Sequence, residues 1–202
     1  MKLGAKIFGA LSGLLILYLF LGILLPGRWV AEVDAYLPAA PSSVFPFLNR
    51  TDRWIRWNTM PDSNLTMVGP SRGVGAGIRW DDPRYGSGEF EILVSDPPSR
   101  VEYQVLIEGG DLAIRGVLEL APEGTGSRLR WTERGDFGWN PLMGYAARGM
   151  DETQAEAMRA GLDRLLSLLV HPDQVLVRLG PTHDVEELGH GVRRREVRQL
   201  PP

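Results

Sequence analysis

The sequence contains no cysteine among its 202 residues. This absence excludes disulfide bonds, thiolate metal ligands, a cysteine nucleophile and a lipid-modified N-terminal cysteine. Lysine is nearly absent as well, because Lys2 and Lys6 are the only two and every later basic residue is arginine. The net charge of -3 gives no sign of a large phosphate-binding surface, so we expect no nucleic-acid partner.

Histidine is missing from the whole central part of the chain. Every histidine lies at or after position 171: His171, His183 and His190. A Ser-His-Asp triad is therefore excluded from the central domain. Asp184 and Glu186 lie near the histidines, but these spacings fit no standard zinc pattern. The triplet Gly73-x-Gly75-x-Gly77 precedes a predicted strand instead of opening a helix, so it is not a nucleotide-binding fingerprint. We expect neither a metal nor a cofactor.

One long apolar run stands near the N-terminus. Residues 7–25 carry no charge, and Ser12 and Tyr18 are their only polar side chains. As a helix this run is about 28 Å long, which is close to the thickness of a bilayer core. A soluble core helix would have a polar face, and a cleaved signal peptide would have a shorter apolar region with a small-x-small site. Residues 7–26 are therefore predicted to form a transmembrane helix that ends at Pro26-Gly27.

The charges on either side of this run predict its orientation. Lys2 and Lys6 precede it, whereas a single arginine, Arg28, follows closely after it. The positive-inside bias places residues 1–6 in the cytoplasm and the remainder on the non-cytoplasmic side. We therefore expect a single-pass protein of the cell membrane.

The central part of the chain alternates between apolar and polar residues. Near its end, Leu129, Trp131 and Glu133 share one side of such a segment, and arginines share the other. A period of two predicts half-buried strands, and the short Gly- and Pro-rich turns between them favour antiparallel pairing. The predicted strands are residues 29–37, 65–69, 78–81, 88–95, 100–107, 112–121 and 127–136.

Helical patterns flank these strands. A short helix is predicted to begin near Pro41, and a second short helix or turn follows at residues 52–57. Residues 141–170 have apolar residues at helical spacing and are predicted to form one long helix, with Asn140 as its N-cap and His171-Pro172 as its end. A sheet with one apolar face needs a cover, and this helix is long enough to provide it. The predicted fold class is therefore α+β.

Five segments carry a resemblance to a known superfamily: residues 40–48, 53–58, 96–103, 128–136 and 161–165. With the order of elements, they make the chain similar to the helix-grip domain of the START-like (SRPBCC) superfamily, in its polyketide cyclase/dehydrase and lipid-transport group. The resemblance implies a curved antiparallel sheet wrapped over a long C-terminal helix.

The resemblance also predicts boundaries. Residues 28–170 form the START-like domain, and residues 171–202 form a C-terminal tail. Relatives often have Gly-Thr just before the last strand. Here Gly124-Thr125 is followed by Gly126-Ser127, which predicts a slightly longer turn.

The resemblance further implies a cavity between the sheet and the long helix, with apolar walls and a few polar groups that suit a small apolar molecule or a lipid. The predicted ligand-binding residues are Trp57, Trp80, Tyr103, Trp131, Glu133, Met143 and Met150. Met158 is a further candidate for the cavity wall. The alternative is that these side chains fill a solid core.

Glu133 stands out because the alternation places its carboxyl group on the apolar side of its strand. A carboxylate there must be paired, lie near the rim or have a raised pKa. One interpretation is that Glu133 contacts the polar group of a ligand. The other is that it lies at a wet strand end or pairs with an arginine such as Arg148.

Three functions stay open at this point. The first and preferred one is a membrane-anchored module that binds a lipid or another apolar small molecule without catalysis. The second is a cyclase- or hydrolase-type enzyme with Glu133 as acid or base and Tyr103 assisting. The third is an interaction domain with a filled core, acting through its exposed sheet face or its tail. The tail is predicted to bind a protein partner or to be a disordered extension.

Overall fold

A computed structural model of the chain describes residues 2–25, 27–61, 64–83, 86–110, 112–138 and 142–171. The tail after position 171 lies outside the described residues, as do Asn140 and Pro141 at the predicted start of the long helix. A short 3-10 turn also occurs, at Glu108–Gly110. The helices and strands are α1 (Lys2–Leu24), β1 (Arg28–Leu37), α2 (Pro41–Leu48), α3 (Thr51–Trp54), β2 (Thr66–Val68), β3 (Gly77–Asp82), β4 (Gly86–Asp96), β5 (Arg100–Ile107), β6 (Leu112–Glu123), β7 (Gly126–Asp136), α4 (Met143–Ala147) and α5 (Met150–Val170).

The strands form a single seven-stranded antiparallel sheet in the order β1-β7-β6-β5-β4-β3-β2. β2 to β7 follow one another along the chain, as hairpin-length turns predict. β1 pairs with the last strand, so that Arg28 lies opposite Asp136 and Leu37 lies opposite Ser127. α5 packs on the inner face of this curved sheet. The predicted α+β class and helix-grip architecture are confirmed.

The alternation in the sequence determines which face of the sheet is buried. β1 buries Trp29, Ala31, Val33 and Leu37 and exposes most of the residues between them. α5 contributes a stripe of buried residues spaced by three or four positions: Ala155, Met158, Leu162, Leu165 and Leu168. Removal of these two apolar surfaces from water is the main stabilising contribution to the domain.

The single helix predicted for residues 141–170 is divided into two. α4 ends at Ala147, and Gly149 adopts a left-handed backbone conformation with φ of +86°. This conformation interrupts a right-handed helix and is accessible mainly to glycine. The carbonyl oxygen of Gly149 then accepts a hydrogen bond from the Thr153 N–H at 3.0 Å, which begins the ladder of α5. The prediction of one continuous helix was wrong for this reason.

One local prediction also differs from the structure. Glu123 pairs with Gly126, so Gly124 and Thr125 alone form the turn between β6 and β7, and the predicted longer turn was wrong. Gly124 has φ of +56°, which suits a tight two-residue hairpin. The short helix or turn predicted for residues 52–57 is confirmed, because α3 ends at Trp54 and a turn continues through residue 57.

α1 lies outside the core of the domain. Its segment Lys6–Leu24 has a mean hydropathy of 2.5, and only 6% of that segment is buried. Within the part of the chain that the structure describes, this is the one helix long and apolar enough to cross a membrane. The C-terminal end of α1 contacts α4.

Two adjacent leucines of α5 provide a test of the helix-on-sheet packing. Leu165 is completely buried, whereas Leu166 is 36% exposed. We expect Leu165→Ala to lower the free energy of unfolding by about 2–5 kcal/mol, since it leaves a cavity in the core. Leu166→Ala, the matched control, should change it by less than about 0.5 kcal/mol. Urea unfolding of the full chain in detergent measures both, and equal losses would contradict the described orientation of α5.

Candidate ligand-binding site

A cavity of about 290 Å³ lies between the inner face of the sheet and the first turns of α5. The loop that follows α3 forms its third wall. Most lining groups are apolar, and the polar ones are few, which is the usual composition of a small-molecule site. The lining residues are Trp54, Asn58, Thr59, Met60, Pro61, Trp80, Phe90, Tyr103, Val105, Ile107, Ile114, Glu133, Gln154 and Ala157.

A cluster of aromatic rings forms the floor of the cavity. The Trp54 ring lies 4.6 Å from the Phe90 ring and 5.0 Å from the Tyr103 ring, measured between centroids. Trp57 packs behind Trp54 at 4.8 Å and in turn contacts Trp131 at 5.4 Å. Tilted and edge-on pairs of this kind add to the energy of burial and fix the ring positions. The rings of this cluster therefore hold one another in position.

Four side chains form a buried hydrogen-bonded chain at one end of the cavity. The Trp131 indole N–H donates to the Tyr103 hydroxyl oxygen at 2.7 Å. The Tyr103 hydroxyl donates in turn to one carboxyl oxygen of Glu133. The side-chain amide of Gln154, on α5, donates to the other carboxyl oxygen at 2.5 Å. Sheet and helix therefore both hold the same carboxyl group.

This chain of contacts depends on a glycine in the middle of β6. Gly116 lies opposite Tyr103 on one side and opposite Glu133 on the other. A Cβ atom at position 116 would lie 1.9 Å from the Cζ atom of Tyr103, so the tyrosine ring lies directly over the glycine. A strand glycine often marks such a close approach. Because Gly116 has no side chain, the Tyr103 hydroxyl crosses β6 and reaches the carboxyl group on β7.

The electrostatics of the cluster follow from burial. Glu133 is only 5% exposed, and burial raises the pKa of its carboxyl group, while the hydrogen bonds from Tyr103 and Gln154 partly oppose that rise. Burial and the nearby carboxylate raise the pKa of Tyr103 well above its ordinary value, so it stays a hydroxyl donor at neutral pH. Both protein contacts of Glu133 come from donors, which leaves its remaining lone pairs as acceptors for a ligand.

Two tryptophans of the lining have unpaired indole groups. The indole N–H groups of Trp54 and Trp80 are buried and have no hydrogen-bond partner among the described residues. A buried donor without a partner costs free energy. The two indole nitrogen atoms have almost no accessible surface, so the Glu133 carboxyl group is the polar group on which the site is assigned.

The predicted site residues fall into four groups. Trp80, Tyr103 and Glu133 line the cavity, while Trp131 supports the Tyr103 hydroxyl from behind. Trp57 is a core residue whose indole N–H donates to the Phe47 carbonyl oxygen at 2.9 Å. The described lining includes none of the predicted methionines, which lie on α4 or pack in or against the core: Met143, Met150 and Met158.

The surroundings of Glu133 contradict one of its two interpretations. Glu133 is neither at a wet strand end nor paired with Arg148, because it is buried and its partners are Tyr103 and Gln154. Sequence reasoning also missed Trp54, Gln154 and the loop at residues 58–61 as lining groups. The helical position of Gln154, one turn into α5, could have indicated its orientation only if the start of α5 had been known.

A second depression lies on the opposite, outer face of the sheet. Its volume is about 580 Å³, and Arg115 and Arg134 lie directly across from each other in it. Arg100 and Glu102 form an ion pair at 2.5 Å at its side. Several charged side chains line this depression, whereas the inner cavity contains the buried carboxyl group of Glu133. The inner cavity is therefore the candidate ligand site.

The raised pKa of Glu133 predicts a specific pH dependence of stability. Because the folded-state pKa lies above the unfolded-state value of about 4.3, folding favours the protonated carboxyl group. The contribution of Glu133 to the free energy of unfolding is therefore greatest below that value and decreases as pH rises through the raised pKa. Urea unfolding across this pH range should show the decrease in the native protein and not in the Glu133→Gln variant.

Tyr103→Phe serves as the matched variant in the same titration. It removes one hydrogen bond that lowers the pKa of Glu133, so the decrease in stability should extend to higher pH than in the native protein. Identical pH profiles for the native protein and Glu133→Gln would show that Glu133 is not in this buried environment.

Comparisons with known proteins agree with this architecture. Residues 28–169 match the family described as polyketide cyclase / dehydrase and lipid transport. No curated protein matches the chain at a significant level. An uncharacterised protein from Rhizobium leguminosarum has a similar structure, with a TM-score of 0.52, 18% identity, and coverage of 71% of this chain and 95% of the other.

Two further solved structures are similar in the same way. A protein from Staphylococcus epidermidis has a TM-score of 0.52 and 16% identity over 73% of this chain and 92% of its own. A protein from the dynemicin biosynthetic locus has a TM-score of 0.50 and 14% identity over 71% of this chain and 48% of its own. Identities this low establish the fold alone. The family match covers most of the chain, and the chain therefore belongs to the polyketide cyclase / dehydrase and lipid transport family.

Proposed function

We propose that this protein is a membrane-anchored binding protein for a small amphipathic ligand, held in the cavity between the sheet and α5. The observation that carries the proposal is the buried carboxyl group of Glu133, fixed by Tyr103 and Gln154 in a cavity whose lining is mostly apolar. A buried acidic group is costly unless its hydrogen-bonding capacity is used. A ligand that donates to it would use the capacity that the protein leaves open.

The cavity also limits the chemistry and the size of the ligand. The Glu133 carboxyl group suits a ligand with a hydrogen-bond donor, such as a hydroxyl or amide group. The volume of about 290 Å³ is at the lower end of the range for small-molecule sites. These features favour one compact molecule with a hydroxyl or amide group, such as a short polyketide or a single-chain lipid fragment.

The membrane anchor is part of the proposal. The exposed apolar surface and high hydropathy of Lys6–Leu24 support a bilayer span. Lys2 and Lys6 precede the span, which favours a cytoplasmic N-terminus and a domain on the non-cytoplasmic side of the cell membrane. Boundaries at residues 28 and 170 then separate the domain from the anchor and from the tail.

The pairing of the strands brings the cavity close to the end of the domain that follows α1. Arg28, the first residue of β1, lies in one row with Asp136 on β7 and Ala113 on β6. Ile114 is the next residue on β6, and Glu133 is three residues from the end of β7. The lining groups thus lie close to the strand ends that are nearest to α1. This position suits a ligand that comes from or goes to the membrane.

A second candidate function is an acid–base step on the bound ligand. The observation that favours it is the same raised pKa of Glu133 beside a hydroxyl donor, because a tuned carboxyl group in a cleft is a common catalytic device. A cyclase-type reaction is one that the family description includes. Recovery of a chemically altered ligand after incubation with native protein, and of unaltered ligand after incubation with Glu133→Gln, would favour this candidate.

The binding proposal is tested by filling the cavity from α5. Ala157 lines the cavity, so Ala157→Phe should occupy the ligand volume. Ala160 is exposed on the same helix, and Ala160→Phe is the matched control. Native mass spectrometry of the full chain, purified from its host cells in a mild detergent, should show a bound small molecule in the native protein and in Ala160→Phe but not in Ala157→Phe. The same bound mass in all three proteins would place the ligand elsewhere.

The orientation is tested with single cysteines, which are clean probes because the chain has none of its own. Val74 is 61% exposed on the domain, and Val74→Cys should react with a membrane-impermeant maleimide added to intact cells. Val170→Cys, at the exposed end of α5, should react in the same way. Reaction of both cysteines only after lysis would reverse the proposed orientation.

A further inference from the structure

α4 packs against the last turns of the apolar helix α1. The rings of Tyr18 and Tyr145 stack with centroids 4.4 Å apart and planes within 3° of parallel. The Tyr145 hydroxyl donates to the backbone carbonyl oxygen of Tyr18 at 2.7 Å. A Cβ atom on Gly144 would lie 2.6 Å from the carbonyl oxygen of Gly22 and 2.9 Å from the Cβ of Leu25. The backbones of the two helices are therefore closely packed at this point, with no side chain between them.

The position of Tyr18 gives the depth of this contact. α1 continues for six residues from Tyr18 to Leu24. At a rise of about 1.5 Å per residue, the stacked tyrosines lie roughly 9 Å before the end of the helix. The apolar run of α1 extends to Leu25. When this run spans a bilayer, α4 lies beside a part of α1 that is still within the apolar layer.

The composition around α4 suits such a position. No charged residue occurs between Asp136 and Arg148. Leu142 is 53% exposed and Met143 is half-buried on the domain itself. Helices that bind the membrane boundary bury an apolar face by about 5–10 Å, a depth close to that of the Tyr18 contact. Composition and depth thus point to the same environment.

We propose that α4 is a second membrane-contacting element, which lies in the outer boundary of the lipid bilayer and is docked on α1. The occupant of the apolar surface at its start, where Leu142 is exposed, is phospholipid. The proposal rests on the proposed membrane span of α1 and deepens it. A second membrane contact would fix the orientation of the domain relative to the bilayer, whereas α1 alone would allow the domain to rotate. α5 begins three residues after α4 ends, so Gln154 and the Glu133 carboxyl group lie close to the lipid.

Fluorescence quenching in nanodiscs tests the depth of α4. Leu142→Cys, Val74→Cys and Leu15→Cys of the full chain are each labelled with a small fluorophore. Leu15 is at the middle of the apolar helix and is 58% exposed, whereas Val74 is on a distant turn of the domain. The quencher is a phospholipid with a nitroxide near the headgroup end of its acyl chain. We expect the Leu142 probe to lose about half of its fluorescence or more, and the Val74 probe to lose almost none.

The Leu15 probe separates the two ways in which the proposal can fail. A lipid with its nitroxide at the chain terminus should quench the Leu15 probe if α1 spans the bilayer. The α4 proposal alone would be overturned if the Leu15 probe is quenched but the Leu142 probe, like the Val74 probe, is not. No quenching of the Leu15 probe would overturn the membrane span itself.

A second pair of variants tests the docking contact. Gly144→Ala places a methyl group against the backbone of Gly22, whereas Gly13→Ala adds the same group in open space. Gly144→Ala should separate α4 from α1 and reduce quenching of the Leu142 probe by at least about twofold, while Gly13→Ala should leave it unchanged. Unchanged quenching in Gly144→Ala would show that α4 does not depend on α1 for its position.

Discussion

The structure depends on one geometric constraint, which is that a single helix cannot cover a flat sheet of seven strands. Strands lie about 4.8 Å apart, so the sheet is roughly 30 Å wide, whereas a helix with its side chains is about 10–12 Å across. The sheet therefore curves around α5, and the short helices α2 and α3 and the loop after them cover the remaining inner face. The volume that neither cover fills is the cavity.

The polar cluster in that volume explains how an acidic group is kept in an apolar domain. Tyr103 and Trp131 belong to the sheet, Gln154 belongs to the helix, and Glu133 accepts from both layers. A buried network of this kind is stabilising only when its members are satisfied. The same contacts thus join the cover to the sheet and orient the one carboxyl group that a ligand in the cavity would meet.

The sequence was sufficient for the parts that depend on local periodicity. Alternation placed Glu133 beside Leu129 and Trp131 on the inner face, and the strands were predicted to within a few residues. The Tyr103–Glu133 contact could not be predicted, because it depends on the pairing of three strands. The break at Gly149 could not be predicted from the residue type alone. Gly161 is another glycine in the same predicted helix, and it is accommodated within α5. Tertiary contacts, not the residue type, determine which glycine interrupts the helix.

Gly116 has a consequence for how this site changes in evolution. Any side chain at this position meets the Tyr103 ring, and once that ring moves, Glu133 loses its hydroxyl donor in a buried place. A tyrosine, a glycine and a glutamate on three neighbouring strands are therefore expected to be inherited as a unit. Relatives that lack the glutamate are free to carry a larger residue in place of the glycine. Covariation of these positions would then distinguish members that bind the polar group of a ligand from members that bind a purely apolar ligand.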